Sequence, residues 1–168
     1  MSDNKDKLRT WKSQQPPIVI VVPDRKRMVA ALKSDVVPLI RKCGFSGSFP
    51  HFRRFGTIKT DCISFQFDKY GGGFVVEIGE GPTEDLVLPW GEKRPITKLT
   101  LSYLDLDRRA RLASGPRPQG EQWFRYDTGN DEAFDLAAKA VQTLLPQVEA
   151  WFRGERSLQN VQSFFEEE

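Results

Sequence analysis

Residues Val37–Gly79 read VPLIRKCGFSGSFPHFRRFGTIKTDCISFQFDKYGGGFVVEIG and combine the end of a helix with several strands in quick succession. Apolar residues recur at helical spacing up to Gly44, and Gly44 followed by Phe45 is a typical stop signal for a helix. Residues Asp61–Lys69 then alternate between apolar and polar side chains, as in a strand with one buried face. The run Gly71–Gly73 predicts a turn into a second strand of the same kind, so this region indicates a β-hairpin beside a helix.

The rest of the chain adds a helix on each side and further strands. Apolar spacing predicts an amphipathic helix over about residues 25–43, which Pro38 should interrupt near Val37. A second apolar stripe predicts a long helix from about Asn130 to Gly154. The predicted strands are Phe49–Phe55, Asp61–Lys69, Phe74–Ile78, Thr97–Leu104 and Gln122–Tyr126. Two Gly- and Pro-rich segments, residues 79–95 and 108–120, are predicted to be loops.

These elements predict the fold class and the domain limits. Short links between the strands favour an antiparallel meander over a parallel sheet. The predicted fold is α+β, with four or five antiparallel strands flanked by an N-terminal and a C-terminal amphipathic helix, both packed on one sheet face. A chain of 168 residues suits a single domain. We expect a flexible N-terminal tail over residues 1–17, the domain over 18–155, and a short C-terminal helix with an acidic tail over 156–168.

The composition narrows the class of protein. An apolar fraction of 39% with 12 Phe and 4 Trp argues against disorder. No apolar run approaches the roughly 20 residues of a membrane span, and the polar N-terminus does not resemble a secretory signal. We therefore expect a cytoplasmic protein without a membrane contact. Cys43 and Cys62 are too few for a disulfide scaffold and are interpreted as free, buried thiols.

The usual catalytic motifs are not evident. His51 is the only histidine, its neighbours supply no ligand cluster, and we interpret it as a surface position rather than a catalytic base. Gly71–Gly73 leads into a strand and not into the Lys-Ser/Thr and helix of a phosphate loop. Asp105 and Asp107 would share a face at period-two spacing, but Arg108 follows at once and would neutralise them. We predict no metal site and no cofactor.

Arginines gather in and beside the predicted sheet, and Arg125 lies between Trp123 and Tyr126. Basic residues among strand aromatics bind single-stranded nucleic acid by stacking and phosphate contact. The net charge of only +2 and the lack of an RNP-type sequence argue against that function. Residues 1–60 carry a net charge of +9 and residues 61–168 a net charge of −7, so the pattern also suits an acidic or basic protein partner or a small anion.

Several segments also resemble the pattern of one known family. They are Leu39–Phe45 at the helix end, Phe52–Arg54, Ile63–Phe67, Phe74–Gly79, Arg109–Leu112 and Gln122–Phe124. Together they resemble the bacterial family catalogued as domain of unknown function 4304, over roughly residues 28–155. The resemblance implies the same order of elements and no activity, because that family has no established function. It also implies that Gln66, Arg111 and Trp123, which match recurrent polar and aromatic places, belong to a shared surface.

The leading hypothesis is a small non-enzymatic protein that binds another macromolecule, with another protein as the expected partner. Its candidate contact residues are Arg53, Gln66, Arg111, Trp123 and Arg125. One alternative is a small-molecule-binding or hydrolytic enzyme whose pocket lies under the loops 79–95 and 108–120, and another is a weak nucleic-acid binder. A concave pocket that brings a nucleophile or base near the arginines favours the first alternative. A broad, shallow polar and aromatic patch favours the binding module.

Overall fold

The computed structural model describes residues 25–116 and 121–165 of the chain. The α-helices within these ranges are α1 (Arg25–Asp35), α2 (Val37–Lys42) and α3 (Ala133–Phe152). The strands are β1 (Ser46–Ser48), β2 (His51–Phe55), β3 (Thr60–Phe67), β4 (Gly73–Gly81), β5 (Leu86–Val87), β6 (Lys93–Arg94), β7 (Arg109–Leu112), β8 (Phe124–Arg125) and β9 (Val161–Ser163). The tail predicted over residues 1–17 lies outside the described residues.

Seven of these strands form one antiparallel sheet, in the order β1-β2-β3-β4-β7-β9, with β8 paired to β4 beside β7. Strands β5 and β6 form a separate small hairpin. The long central pair β3 and β4 aligns Thr60 with Gly81 at one end and Phe67 with Phe74 at the other. The predicted α+β fold with an antiparallel sheet is therefore confirmed, and short strands extend the sheet beyond the predicted ones.

Helices α1 and α3 contact each other and cover one face of the sheet, as predicted. Residues of α1 spaced four apart, Met28 and Leu32, are fully buried, because this spacing points both toward the sheet. Phenylalanines of the sheet form the opposite wall of the core, and the rings of Phe74 and Phe124 stack at 5.3 Å between centroids. Aromatic rings bury 150–250 Å² each, on the order of several kcal/mol, so this layer dominates the core.

The N-terminal helical region is interrupted at Val36, which lies between α1 and α2 and has Pro38 in the first turn that follows. This confirms the predicted interruption, since proline is tolerated in a first turn but not in a helix interior. At the other end of α2, Gly44 has a φ of +90°, and the amide of Phe45 donates to the carbonyl of Ile40 at 3.3 Å. This is the glycine-terminated helix end that the sequence predicts.

The prediction of a strand over Thr97–Leu104 is wrong. The segment forms short 3₁₀ turns, which the structure has at Ile96–Lys98, Leu101–Tyr103 and Leu106–Arg108. Its leucines pack on the face of the sheet away from the helices, around Cys62. Glycines of β4 make this close approach possible, because a Cβ at Gly79 would overlap Leu101 and a Cβ at Gly81 would lie 2.5 Å from Cδ2 of Leu99. The alternating leucines therefore reflect packing onto a sheet rather than membership of it.

Three further predictions need correction. Residues 79–95 do not form a continuous loop, because β4 extends to Gly81 and the hairpin of β5 and β6 lies within this segment. Residues 108–120 do not form a continuous loop, because Arg109–Leu112 is strand β7, with Ala110 and Leu112 buried and the arginines alternating with them. The short C-terminal helix predicted within residues 156–168 is also wrong, since Val161–Ser163 is strand β9, paired with β7. Buried Asn160 ties this segment to the sheet, with its Nδ2 donating to the carbonyl of Ala113 at 3.1 Å. Long-range pairing thus overrides the local helical spacing.

None of the helices in the described part of the chain is long and apolar enough to cross a membrane.

Candidate functional site

A row of polar side chains crosses the sheet on the face away from the helices. It consists of His51 on β2, Ser64 on β3, Glu77 on β4, Arg111 on β7 and Gln162 on β9, and each residue is the direct cross-strand partner of the next. Direct partners on neighbouring strands share a face, so the five side chains form one line across the sheet. We call this line the polar row.

Glu77 is the charged centre of the polar row. Its side chain is only 5% exposed, and two arginines neutralise it. Nε of Arg109 donates to Oε1 of Glu77 at 2.6 Å, and Nε of Arg111 donates to Oε2 at 3.1 Å. Nη1 of Arg111 also donates to Oε1 of Gln122 at 3.3 Å, and Nε2 of Gln122 donates to Oε1 of Gln162 at 2.8 Å. Two guanidinium groups on one buried carboxylate leave a net charge of +1 in this cluster.

His51 and Ser64 form a hydrogen-bonded pair at the end of the polar row, with 2.8 Å between Nδ1 and Oγ. Burial lowers the pKa of His51 below its usual value, and the nearby charge of Arg53 lowers it further, so the imidazole is neutral at pH 7. A hydroxyl beside a neutral imidazole is the arrangement of a nucleophile and its base. Among the described residues, however, no carboxylate hydrogen-bonds to the other ring nitrogen, so the group that orients the base in a catalytic triad is missing.

A cleft of about 710 Å³ lies over the His51 and Ser64 end of the polar row. The register pairs His51, the first residue of β2, with Ser64, so β3 extends past β2 toward Phe67. The cleft runs round this end of β3 and reaches both faces of the sheet. Its volume falls within the range of about 300–1,000 Å³ that is usual for small-molecule sites.

The two sides of the cleft differ in chemistry. The outer side, away from the helices, carries polar groups and one leucine: His51, Ser64, Gln66, Glu77, Thr100, Leu101, Ser102 and Arg109. The helix side carries apolar side chains and one arginine: Arg25, Val29, Phe49, Pro50, Phe65 and Phe67. On the helix side the ring of Phe49 stacks on Phe65 at 5.2 Å, and the guanidinium of Arg25 lies 5.5 Å from the ring centroid of Phe67. The cleft therefore suits a ligand with an apolar part and a polar part.

The five predicted contact residues do not form one surface. Gln66 is exposed and lines the cleft. Arg111 belongs to the polar row but lies beyond the cleft, where its guanidinium holds Glu77. Nε of Arg53 donates to the carbonyl of Leu99, so this arginine fastens the 3₁₀ segment to the sheet. Of these three side chains, those of Arg53 and Arg111 are thus held by contacts within the protein.

The remaining two predicted residues, Trp123 and Arg125, lie elsewhere. The guanidinium of Arg125 is 5.3 Å from the indole centroid of Trp123, and it also pairs with Glu121 at 3.3 Å. Both side chains border a shallow hollow of about 240 Å³, together with Leu136 of α3, which is 54% exposed. Of the five predicted contact residues, only Trp123 and Arg125 line this hollow.

The position of the cleft differs from the predicted one. Of the described residues that line it, none comes from residues 79–95 and only Arg109 comes from residues 108–120. The 3₁₀ segment, through Thr100 and Ser102, forms its rim instead. The sequence does not predict His51, Ser64 and Glu77 as a group, although Ser64 and Glu77 occupy the polar face of their predicted strands. Nothing in the spacing alone shows that they face one another.

Within residues 25–116 and 121–165, no group of three or more His, Cys, Asp or Glu side chains could hold a metal ion.

The chain matches the model of one protein family. The model described as "Domain of unknown function (DUF4304)" matches residues 36–154, which include the polar row from His51 to Arg111. The chain belongs to this family. The resemblance inferred from the motifs is thereby confirmed. Every cleft residue of this DUF4304 protein falls within the matched range except Arg25 and Val29 of α1. No curated protein and no solved structure matches the chain.

Proposed function

We propose that this DUF4304 protein is a small-molecule-binding protein whose ligand lies in the cleft over His51 and Ser64. One observation carries the proposal: a concave site of about 710 Å³ has a hydrogen-bonded hydroxyl and imidazole on one side and partly exposed aromatic rings on the other. Ligand sites are typically concave and largely apolar, with a few polar groups that fix the orientation of the ligand. A concave site of this kind favours binding of a small molecule over contact with a broad protein surface.

The polar groups of the cleft support binding better than catalysis. His51 lacks a carboxylate partner within the described part of the chain, and Glu77 already accepts hydrogen bonds from two arginines. A general base needs a free acceptor that reaches the reacting proton, which a doubly neutralised carboxylate does not provide. The hydroxyls of Ser64 and Ser102 and the amide of Gln66 remain available to orient a ligand.

A second candidate function, binding of another protein, is supported by the hollow at Trp123, Arg125 and Leu136. Tryptophan and arginine are the residue types that contribute most to interface affinity. If this hollow is the functional surface, Trp123→Ala abolishes capture of a specific partner while Gln66→Phe leaves that capture unchanged. Free thiols at Cys43 and Cys62 suit the reducing bacterial cytoplasm, which we propose as the compartment of the protein.

The proposal is tested by screening a fragment library with protein-observed NMR. The variant Gln66→Phe places a bulky ring on the polar side of the cleft beside Ser64 and should block binding there, because Gln66 is exposed on β3 and aromatic residues are well tolerated in strands. The matched control is Val87→Phe, which adds a ring at a 66% exposed position of strand β5, because no residue of β5 is among the described residues that line the cleft.

We expect fragments to shift the resonances of His51 and Ser64 in the wild type and in Val87→Phe, and not in Gln66→Phe. Fragments that shift the Trp123 hollow alone would favour the second candidate. Fragments that bind wild type and Gln66→Phe equally would overturn the proposal.

A further inference from the structure

The helix side of the cleft presents aromatic surface. Phe49 and Phe67 are half-buried, with 6.3 Å between their ring centroids in an edge-to-face arrangement. Pro50 and Val29 complete this wall. Aromatic rings prefer offset-stacked or edge-to-face neighbours at 4.5–7 Å, so a planar ring of the ligand is the best complement to this wall.

The charge of the cleft favours an anion. Arg25 and Arg109 line it, and Glu77 is the only carboxylate among the described lining residues. That carboxylate is already paired with Arg109 and Arg111, so it does not cancel the remaining positive charge. Nζ of Lys33 lies 5.9 Å from the ring centroid of Phe49 and adds a further cation beside the aromatic wall. Electrostatic complementarity therefore selects against a cationic ligand.

The outer side of the cleft carries hydrogen-bond donors suited to an anionic group. When Nδ1 of His51 bears the proton it donates to Oγ of Ser64, which leaves the hydroxyl proton of Ser64 free to donate to a ligand. The hydroxyls of Thr100 and Ser102 lie 2.8 Å apart on the rim and supply a further donor. Hydrogen bonds to a charged acceptor are stronger than those between neutral groups.

From these observations we infer that the ligand is an aromatic carboxylate, with its ring against Phe49 and Phe67 and its carboxylate toward Ser64 and His51. The inference rests on the proposed function and names the class of ligand for the same cleft. Both sides belong to the lining of one cleft, which runs round the end of β3 that extends past β2, so the proposed ligand has its ring on one side of this strand end and its carboxylate on the other.

The test is a titration with three related compounds, followed by NMR and by calorimetry at low salt. Indole-3-acetate carries both features, indole-3-acetamide keeps the ring without the charge, and cyclohexylacetate keeps the charge without the aromatic ring. We expect the aromatic carboxylate to bind about tenfold more tightly than either analogue, with shifts at Phe67 and Ser64. Arg25→Gln removes a positive charge from the lining of the cleft and should weaken binding of the carboxylate several-fold through the loss of long-range attraction, with a smaller effect on the neutral amide. The matched control Lys42→Gln removes an exposed cation of α2 outside the cleft and should change neither.

The outcomes separate this inference from the function on which it rests. Equal binding of the acetate and the acetamide in the cleft, or an equal effect of Lys42→Gln and Arg25→Gln, would overturn the inference while the cleft remains a binding site. If only neutral aliphatic fragments bind in the cleft, the inference is also overturned and the cleft remains a binding site. If the screened fragments also bind Gln66→Phe unchanged, the proposed function fails together with the inference.

Discussion

Arg111 on β7 and Glu77 on β4 are direct cross-strand partners, and Nε of Arg111 donates to the Glu77 carboxylate at 3.1 Å. The side chain of Glu77 is only 5% exposed, and Arg109 holds its other oxygen at 2.6 Å. The two guanidinium groups supply the hydrogen bonds and the positive charge that a carboxylate with so little contact with water needs. These hydrogen bonds hold β7 against the central strand β4. Glu77 belongs both to this cluster and to the lining of the cleft, so the cluster adjoins the ligand site.

Glu77→Gln should destabilise the fold, because it leaves two guanidinium groups facing each other without their counter-ion. Breaking a buried pair costs about 3–5 kcal/mol, and the 17% and 25% exposure of the two arginine side chains reduces this to about 2 kcal/mol. Urea denaturation monitored by circular dichroism measures the change in the free energy of unfolding. Glu84→Gln, at an exposed position, is the control and should change it by less than about 0.5 kcal/mol. Equal effects of the two substitutions would contradict this role of Glu77.

Gly79→Ala should destabilise the packing of the 3₁₀ segment on the sheet. The added Cβ would overlap Leu101 and lie 3.1 Å from the carbonyl oxygen of Arg108, so the segment must shift, at a cost of about 1–3 kcal/mol. Because Leu101 is the main obstacle, Leu101→Ala should relieve part of this cost. A double-mutant cycle from denaturation curves should give a coupling of about 1 kcal/mol or more. Additive effects would show that Gly79 does not provide room for Leu101.

The central fold could be predicted from the sequence because its signals are local. The alternation in β3 and β4 marks the face that packs on the helices, although both faces of these strands are largely buried, and Gly44 with Phe45 marks the end of α2. The 3₁₀ segment could not be predicted, since Leu99 and Leu101 alternate as they would in a strand. These leucines can pack on the sheet only because Gly79 and Gly81 have no side chains. Local sequence does not show that the leucines lie against these glycines.

The site could be predicted only in part, for a related reason. Gln66 lines the cleft, and the family resemblance implies that it belongs to a shared surface because it matches a recurrent polar place of the pattern. The sequence neighbours of His51 offer no partners, so the sequence predicts only a surface position for it. Its partner Ser64 comes from the next strand, and the pairing depends on the length of the turn between β2 and β3. Arg53 and Arg111 were singled out for their charge, yet both are engaged within the protein.

Stability should fall as the pH decreases below about 6.5, partly because of His51. Burial and Arg53 lower the pKa of His51 in the folded protein, whereas in the unfolded chain it returns to its usual value. Between these two values the unfolded chain binds more protons, so the free energy of unfolding decreases as the pH falls through this window. Denaturation of the wild type and of His51→Gln at pH 7.5 and at pH 5 measures the contribution. The wild type should lose more stability than the variant, and an equal loss would contradict the assignment.

The two cysteines should differ in reactivity toward alkylating reagents. Burial raises the pKa of Cys62 to about 12, and burial together with Glu149 raises the pKa of the half-buried Cys43. Because the thiolate is the reactive form, Cys62 should remain unmodified by iodoacetamide at pH 8 while Cys43 reacts slowly. Peptide mapping by mass spectrometry distinguishes the two sites. Modification of Cys62 at the same rate in the folded protein and in urea would exclude its burial beneath the 3₁₀ segment.

A crystallographic fragment soak, in a lattice that leaves the cleft open, shows directly whether the cleft beside His51 and Ser64 is the ligand site. Fragments should bind between the Phe49 and Phe67 rings and the Ser64 hydroxyl. Fragments that occupy the Trp123 hollow or other surfaces, with an empty cleft throughout, would contradict this assignment.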